Sequence, residues 1–163
     1  MSKRIIKDRG IIEDHWQRIA DDAALPAAGD IFVSHKRWQL DRAALLARKA
    51  RLGVIIGNGV AAEEIKDDLQ HFSLVAIEFP QFKDGRGYSY ARLLRERYRF
   101  PHEIRAIGNV LRDQLLPMWR CGINAFELDA GRDLEDALSA FNDFSVRYQP
   151  AADGEETPFS WAS

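Results

Sequence analysis

The chain has 163 residues, of which 46% are hydrophobic and 29% are charged, and its net charge at pH 7 is -2. This length suits one domain with its own core, and the near-neutral charge makes nucleic acid and anionic membrane surfaces poor partners. The N-terminus is charged and has no signal-peptide core, and no apolar run reaches the ~20 residues that a membrane helix needs. We therefore expect a cytoplasmic protein with no membrane or nucleic-acid partner.

Cysteine and histidine content limits the redox and metal chemistry. Cys121 is the only cysteine, which excludes an intramolecular disulfide and an iron–sulfur cluster held by four thiolates. The four histidines are scattered, with no pair at the spacing of metal ligands on a helix. The sequence thus predicts no metal site and no covalently bound cofactor, and leaves any other cofactor unknown. Cys121 itself is expected to be a small buried hydrophobe at a helix end.

Two short apolar pairs near the N-terminus predict an antiparallel hairpin. Ile5-Ile6 and Ile11-Ile12 flank Asp8-Arg9-Gly10, and a glycine after charged turn formers suits a tight connection between strands. The composition of residues 21–30 is that of a loop. Residues 1–29 are therefore assigned to an N-terminal hairpin and loop.

From residue 31 onward, short apolar runs alternate with amphipathic stretches. Strands are expected over 31–33, 53–56, 74–77, 104–107 and 125–128, and helices over 40–51, 61–70, 89–99, 111–121 and from Asp133. This alternation is typical of βα units and predicts an α/β fold with a mostly parallel sheet of about five strands. If the strands lie in sequence order, the sheet is half-barrel-like with all helices on one face. If the order reverses, it is doubly wound.

Single residues refine three of these helices. Leu40, Ala44, Leu45 and Ala47 are expected to face inward from the first helix. Pro117 has no N–H to donate, so the fourth helix should kink or restart there. Asp133 is expected to cap the last helix.

Composition also gives the domain limits. A single α/β domain is expected over residues 1–148. Residues 149–163, which contain prolines, glycine and acids, are expected to form a mobile tail. Its Phe159 and Trp161 could contact the body of the protein or a partner.

In parallel α/β folds the loops after the strand carboxyl ends form the ligand crevice, and three such loops carry suitable residues. The first loop is Gly57-Asn58-Gly59, with Glu78 about 20 residues further on at the end of the next strand. Gly57 and Gly59 would let the backbone approach a pyrophosphate, and Glu78 would bind the ribose of a dinucleotide. An ordinary tight turn prefers the same glycines and is the alternative.

The second loop is Asp84-Gly85-Arg86-Gly87-Tyr88-Ser89. Arg86 is expected to bind an anion, with Gly85 and Gly87 providing the positive φ angles of a backbone nest. Asp84 could orient Arg86, and Ser89 could be the helix N-cap. The alternative is a structured loop in which an Asp–Arg pair holds the turn.

The third loop offers Arg112, Asp113 and Gln114 within one helical turn. Their guanidinium, carboxylate and amide groups could line the same crevice as the second loop. They could instead cap the helix and pair with neighbouring side chains. The prediction is a single anion-binding crevice formed by both loops.

Arginines are concentrated in one part of the chain. Residues 86–105 carry six arginines against Glu96 and Glu103. Arg92, Arg95 and Arg97 are therefore expected to dock an acidic partner surface. A solvated charged face is the alternative.

A longer pattern runs through residues 79–98 (FPQFKDGRGYSYARLLRERY), 105–115 (RAIGNVLRDQL) and 120–128 (RCGINAFEL). It closely resembles a family of bacterial proteins of unknown function, typically encoded beside the sulfite reductase haemoprotein and labelled as oxidoreductases of sulfite reduction. The resemblance covers about residues 74–128. It includes the second and third loops together with Arg92, Arg95, Cys121, Gly122 and Phe126, and it leaves out the first loop.

The resemblance implies an accessory protein of assimilatory sulfite reduction. In that role the predicted crevice would bind an anionic ligand or an acidic patch of a partner, with the sulfite reductase haemoprotein as that partner. A homo-oligomer is also compatible with the sequence. Two alternatives stay open: an autonomous small-molecule oxidoreductase that binds a nucleotide cofactor, and a non-catalytic assembly factor. The sequence shows no nucleophile–base pair, so no catalytic residue is assigned.

Overall fold

A computed structural model describes residues 3–80, 85–129 and 131–145. Its strands are β1 (Lys3–Lys7), β2 (Gly10–Asp14), β3 (Gln17–Arg18), β4 (Ile31–Ser34), β5 (Leu52–Gly57), β6 (Leu74–Phe79), β7 (Glu103–Gly108) and β8 (Ala125–Phe126). Its α-helices are α1 (His35–Leu40), α2 (Arg42–Ala47), α3 (Arg86–Arg92), α4 (Leu115–Cys121), α5 (Leu134–Leu138) and α6 (Ala140–Ser145). The remaining helical segments are 3-10 helices at Ala62–His71 and Arg112–Gln114 and a π-helical turn at Leu93–Arg97. No helix in these ranges is long and apolar enough to cross a membrane.

All the strands join one sheet in the order β2-β1-β8-β7-β6-β5-β4-β3. The strands from β3 to β8 pair in parallel, whereas β1 is antiparallel to both β2 and β8. Because β4 to β8 lie in sequence order, the sheet is singly wound. The predicted α/β class and N-terminal hairpin are confirmed, and the half-barrel is the arrangement that the chain adopts rather than the doubly wound one.

The sheet curls strongly, as the position of its two edges shows. β2 ends at Asp14 and β3 begins at Gln17, yet these strands occupy opposite ends of the strand order. Only His15 and Trp16 separate them, so the two edges approach within about 11 Å, the span of three consecutive Cα–Cα steps. The N-terminal hairpin therefore returns across the open side of the half-barrel.

The two faces of the curled sheet bury different sets of residues. The helix-covered face holds the larger core, which includes Val54, Val75 and Trp38. Since side chains alternate along a strand, the remaining strand residues face the other way. There Trp16 packs in a smaller cluster with Phe32, Ile55, Leu74, Ala76 and Ile107, so that the crossing segment fills the concave face.

Arg105 lies on this concave face within a buried ionic network. Its Nη1 and Nη2 donate to the two carboxylate oxygens of Asp14 at 2.9 and 3.0 Å, its Nε donates to Glu103 at 2.7 Å, and Nη1 also donates to Glu127 at 2.8 Å. Burial would lower the pKa of Arg105, but its hydrogen bonds to the Asp14 carboxylate and the charge of Glu103 hold that pKa above its ordinary value. The network fastens the hairpin to β7 and β8.

The first predicted helix is the least accurate. The chain begins α1 at His35, because the Ser34 hydroxyl accepts a hydrogen bond from the Arg37 amide at 3.0 Å and caps it. Trp38 and Leu45 then face the core, while Leu40 is 71% exposed. The expected inward position of Leu45 is confirmed, whereas those of Leu40, Ala44 and Ala47, which are all exposed, are wrong.

The two later helix predictions agree with the structure. Pro117 lies in the first turn of α4, which starts at Leu115 directly after a 3-10 turn, so the helix does restart there. In a first turn the missing N–H has no intrahelical acceptor to lose. Asp133 caps α5, accepting from the amides of Glu135 and Asp136 at 3.0 and 3.2 Å. The predicted tail, 149–163, lies outside the described residues.

Candidate functional site

A cleft of about 300 Å³ opens at the carboxyl ends of β5 and β6. We call it the strand-end cleft, and its lining comprises Gly57, Asn58, Gly59, Glu78, Pro80, Arg86, Gly87 and Tyr90. It therefore joins the first predicted loop with part of the second. These segments meet because β5 and β6 are adjacent parallel strands, paired from Gly53 with Leu74 to Gly57 with Glu78.

The first loop is a tight turn whose glycines are required by the backbone. Gly57, Asn58 and Gly59 have φ angles of 95°, 54° and 94°, all left-handed. Gly57 and Val60 exchange backbone hydrogen bonds of 2.7 and 3.1 Å across the turn. A Cβ atom on Gly57 would lie 2.6 Å from the Glu78 carbonyl oxygen, so β5 and β6 could not approach so closely with another residue there.

The helix that follows this turn is poorly suited to a pyrophosphate. It is a 3-10 helix with Glu63 and Glu64 in its first turn. The Glu64 carboxylate accepts from the Ala61 amide at 2.9 Å, in the position where a dinucleotide phosphate would bind. Negative charge already occupies the helix start, so these contacts favour the ordinary-turn interpretation over dinucleotide binding.

Glu78 sits between polar groups from two other parts of the chain. Its Oε1 is 3.4 Å from the Asn58 amide nitrogen, and its Oε2 is 3.6 Å from the Arg18 guanidinium. Glu78 keeps 28% of its side chain exposed. The exposed Arg86 lines the same cleft as Glu78, with Arg18 beside Glu78 and the Glu64 carboxylate at the helix start that follows the turn. These four described side chains near the cleft are thus two guanidinium groups and two carboxylates.

The second loop differs from the predicted nest. Gly85 is the N-cap of α3 with φ -72°, and Gly87 lies within the helix, so neither provides a positive φ. Gly87 is needed for packing instead, because a Cβ there would lie 2.4 Å from the Phe79 ring. Ser89 is inside α3 and is not the N-cap that the sequence suggested. Asp84 lies outside the described residues.

A second, larger cleft of about 500 Å³ lies between α3 and α4. We call it the interhelical cleft, and it is lined by Gly85, Tyr88, Ser89, Arg92, Leu116, Pro117, Arg120 and Cys121. Cys121 is 5% exposed, as expected of a small buried hydrophobe, and burial raises the pKa of its thiol. Burial also raises the pKa of Tyr88. Tyr88 and Ser89 line this interhelical cleft, whereas Arg86 lines the strand-end cleft.

The third loop joins neither cleft. Arg112 turns toward α5, where its Nη2 donates to the Ser139 hydroxyl at 2.9 Å and its Nε donates to the Asp136 carbonyl at 3.1 Å. Gln114 accepts from the Leu111 amide at 3.2 Å and caps its own 3-10 turn, and Asp113 is exposed. The single crevice predicted from the second and third loops is wrong, and the capping interpretation of the third loop agrees with these contacts.

The three arginines that were expected to dock a partner differ in their exposure. Arg92 and Arg97 are exposed, but Arg95 is 2% exposed and cannot dock a partner from this position. Its guanidinium donates to the carbonyls of Gly122, Phe100 and His102 at 2.8, 2.9 and 2.7 Å. Burial lowers the pKa of Arg95 to about 10. The expectation for Arg95 was wrong because the helix turns this arginine toward the loops around β7.

Sequence reasoning missed Arg18, which contacts Glu78 beside the strand-end cleft, and several residues that line the two clefts. Arg18 belongs to a strand of two residues, too short for a pattern to reveal it. Tyr90, Leu116 and Arg120 lie on helices whose partners depend on the tertiary fold. Arg120 directly precedes Cys121 in the third segment of the family pattern, which was the one available signal. No group of three or more His, Cys, Asp or Glu placed to hold a metal occurs among the described side chains.

The fold and its clefts define a singly wound α/β half-barrel with an arginine-containing cleft at the carboxyl ends of its parallel strands. Residues 53–159 match the model of a family described as bacterial protein of unknown function, DUF934. The chain belongs to this family. A search of curated proteins and a search of solved structures found no match.

Proposed function

We propose that this protein is an accessory factor of assimilatory sulfite reduction that binds a small anion in the strand-end cleft. The observation that carries the proposal is that Arg86, from the family pattern, lines one cleft together with Asn58 and Glu78 at the strand carboxyl ends. In open and barrel-like α/β sheets this edge is where ligands bind.

The charges around the cleft support an anionic ligand. Arg86 is exposed, and Arg18 lies 3.6 Å from Glu78, so the Glu78 carboxylate already has a cationic neighbour. An entering carboxylate or sulfur oxyanion would add the negative charge that these two guanidinium groups can accept. The amide of Asn58 offers a neutral hydrogen-bond donor beside them.

The lining favours binding over catalysis. Glu78 is the one carboxylate among the described lining residues and already contacts Asn58 and Arg18, and the described lining has no histidine, cysteine, serine or lysine to form a nucleophile–base pair with it. The cleft is also small, at about 300 Å³, which suits a compact ligand rather than a dinucleotide. An accessory role, in which the ligand or a partner is held for another protein, fits this lining.

The link to sulfite reduction comes from the family resemblance, and the haemoprotein of sulfite reductase is the partner that it implies. The exposed Arg92 and Arg97 on the following helical turns offer positive charge for an acidic docking surface.

Calorimetric titration with sulfite, sulfate and malonate tests the cleft. The wild type is expected to bind at least one of them, and Arg86→Gln should weaken binding about 10- to 100-fold, the effect of losing a charge-assisted hydrogen bond of ~1.5–3 kcal/mol. The exposed Arg132 provides a matched control, since Arg132→Gln should bind as the wild type does. Equal affinities for the two variants would remove Arg86 from the site.

Growth and capture experiments test the pathway separately. A strain carrying Arg86→Gln should grow slowly on sulfate and normally on cysteine, whereas Arg132→Gln should support both. Tagged protein from cells grown on sulfate should recover the haemoprotein with its sirohaem absorption. Normal growth on sulfate without the protein, together with recovery of the protein alone, would overturn the accessory role while leaving the anion measurement intact.

A further inference from the structure

The interhelical cleft combines apolar walls with positive charge. Leu116 and Pro117 provide apolar surface from α4, and Tyr88 faces them from α3. Arg92 and Arg120 line the same cleft, and both are exposed. A matching occupant needs aromatic or aliphatic side chains with carboxylates a few residues away.

The chain carries such a segment itself, in residues 146–163, beyond the described structure. Within it Asp153, Glu155 and Glu156 precede Phe159 and Trp161. Arg147 is its only cation. The order of charge and aromatic groups thus complements the two arginines and the apolar walls of the cleft.

The described chain ends close enough for this segment to reach the cleft. It ends with α6, which packs against α4, with the rings of Trp119 and Phe141 5.8 Å apart. Nine residues lie between Ser145 and Glu155, and the ten chain steps that join these two residues span up to ~35 Å when extended. α4 has seven residues and is only about 10 Å long, so reach is not limiting.

We propose that residues 153–161 bind in the interhelical cleft of their own chain. The carboxylates face Arg92 and Arg120, and the rings of Phe159 and Trp161 pack on Leu116 and Pro117. The segment then covers the Cys121 thiol, which lines the same cleft. The linker between α6 and this segment is short, so the entropic cost of closing it is modest and grows only slowly with linker length. Docking within one chain is therefore favoured over docking between two copies. This proposal does not depend on the strand-end cleft, and it leaves Arg97 rather than Arg92 available to a partner.

Fluorine NMR of protein labelled with 5-fluorotryptophan tests the docking directly. The chain has four tryptophans, and Trp161→Phe assigns the resonance of Trp161. In the full chain this resonance should be displaced from its position in a free peptide of residues 150–163. Arg92→Glu combined with Arg120→Glu should return it to the peptide position, whereas Arg132→Glu should leave it displaced. A wild-type Trp161 resonance at the peptide position would overturn the proposal.

Alkylation of Cys121 provides a second readout that uses a different atom. Trp161→Ala, and separately Glu155→Gln with Glu156→Gln, should accelerate the reaction about fivefold, because docking protects the thiol in proportion to the closed population. Asp67→Asn is the matched surface control and should react as the wild type does. Protection in the wild type that increases with protein concentration would overturn docking within one chain in favour of a second copy. Circular dichroism should show that all variants remain folded.

Discussion

The guanidinium of Arg105 on β7 and the carboxylate of Asp14 at the end of β2 form a two-point ion pair across 91 residues of sequence. Both side chains are almost fully buried, at 1% and 2% exposed. This pair joins the N-terminal hairpin to the concave face of the half-barrel. The hairpin is therefore part of the folded domain and is held to it by charge as well as by the Trp16 cluster.

Replacing Arg105 with methionine should destabilise the protein by about 3–5 kcal/mol, because it leaves buried carboxylates without their cation. Urea unfolding followed by circular dichroism measures the change. The matched control is Arg132→Met, at an exposed position, which should lie within about 0.5 kcal/mol of the wild type. Equal stability of the two variants would show that Lys3 and Lys7, which reach Glu127 and Glu103, can neutralise the cluster without Arg105.

Two nearby glycines of the family pattern should differ in how much stability the protein loses when each is replaced by alanine. At Gly87 a Cβ atom would lie 2.4 Å from the Phe79 ring, so Gly87→Ala should cost about 1–3 kcal/mol through overpacking. At Gly85 a Cβ atom meets nothing within 4 Å and φ is -72°, so Gly85→Ala should stay within about 0.5 kcal/mol. Thermal or urea unfolding of the two variants measures both changes in stability. A larger loss at Gly85 would point to a role other than packing.

Arg95 should prove to be a structural residue. It satisfies three backbone carbonyls around β7, and methionine would leave them unpaired at a cost of at least about 3 kcal/mol. Lysine keeps the charge but lacks the planar fork, so Arg95→Lys should also be clearly destabilising. Both variants should be compared with Arg97→Lys, at an exposed position, by urea unfolding. Full stability of Arg95→Lys would contradict this structural role.

Much of the fold was predictable because strands buried on both faces leave continuous apolar runs. Residues 74–77 are an example, and β6 is found at Leu74–Phe79. The start of α1 was not predictable from apolar spacing, because it depends on the Ser34 cap. Strand order was also beyond the sequence, since short apolar strands fit either winding, and it is this order that brings Gly57 beside Glu78.

The candidate site was predictable only in parts. Arg86 and the Gly57 turn were both singled out, but their common cleft depends on β5 and β6 being neighbours. Arg95 and Arg105 look like the exposed arginines around them in sequence, and only the tertiary fold shows that both are buried. Burial of a charge is decided by partners distant in sequence, which no local pattern reports.

Docking to a partner, if it uses the exposed arginines, should depend on salt. Arg97→Glu is expected to weaken the proposed complex with the sulfite reductase haemoprotein, and the loss should be larger at about 50 mM than at about 300 mM salt, where the Debye length is shorter. Surface binding assays at the two concentrations measure it, with Arg132→Glu as the control. An affinity that Arg97→Glu leaves unchanged at low salt would exclude this arginine from the interface.

The Cys121 thiol should be inert at neutral pH and should make the protein sensitive to alkali. Burial raises the pKa of this thiol above its ordinary value of 9.0, against the opposing effect of the Arg92 guanidinium. The folded protein thus holds the thiol proton more tightly than the unfolded chain. The resulting stability is fully present below the unfolded pKa and is lost as pH rises through the folded pKa.

Urea unfolding from about pH 7 to pH 10 measures that loss, and the difference between wild type and Cys121→Ala separates it from the titration of lysines and tyrosines. The wild type should lose more stability than Cys121→Ala over this interval. Iodoacetamide should alkylate native Cys121 far more slowly at pH 8 than it alkylates the urea-unfolded chain, because the thiolate is the reacting form. Parallel stability curves for the two proteins would mean that the thiol has the same pKa folded and unfolded.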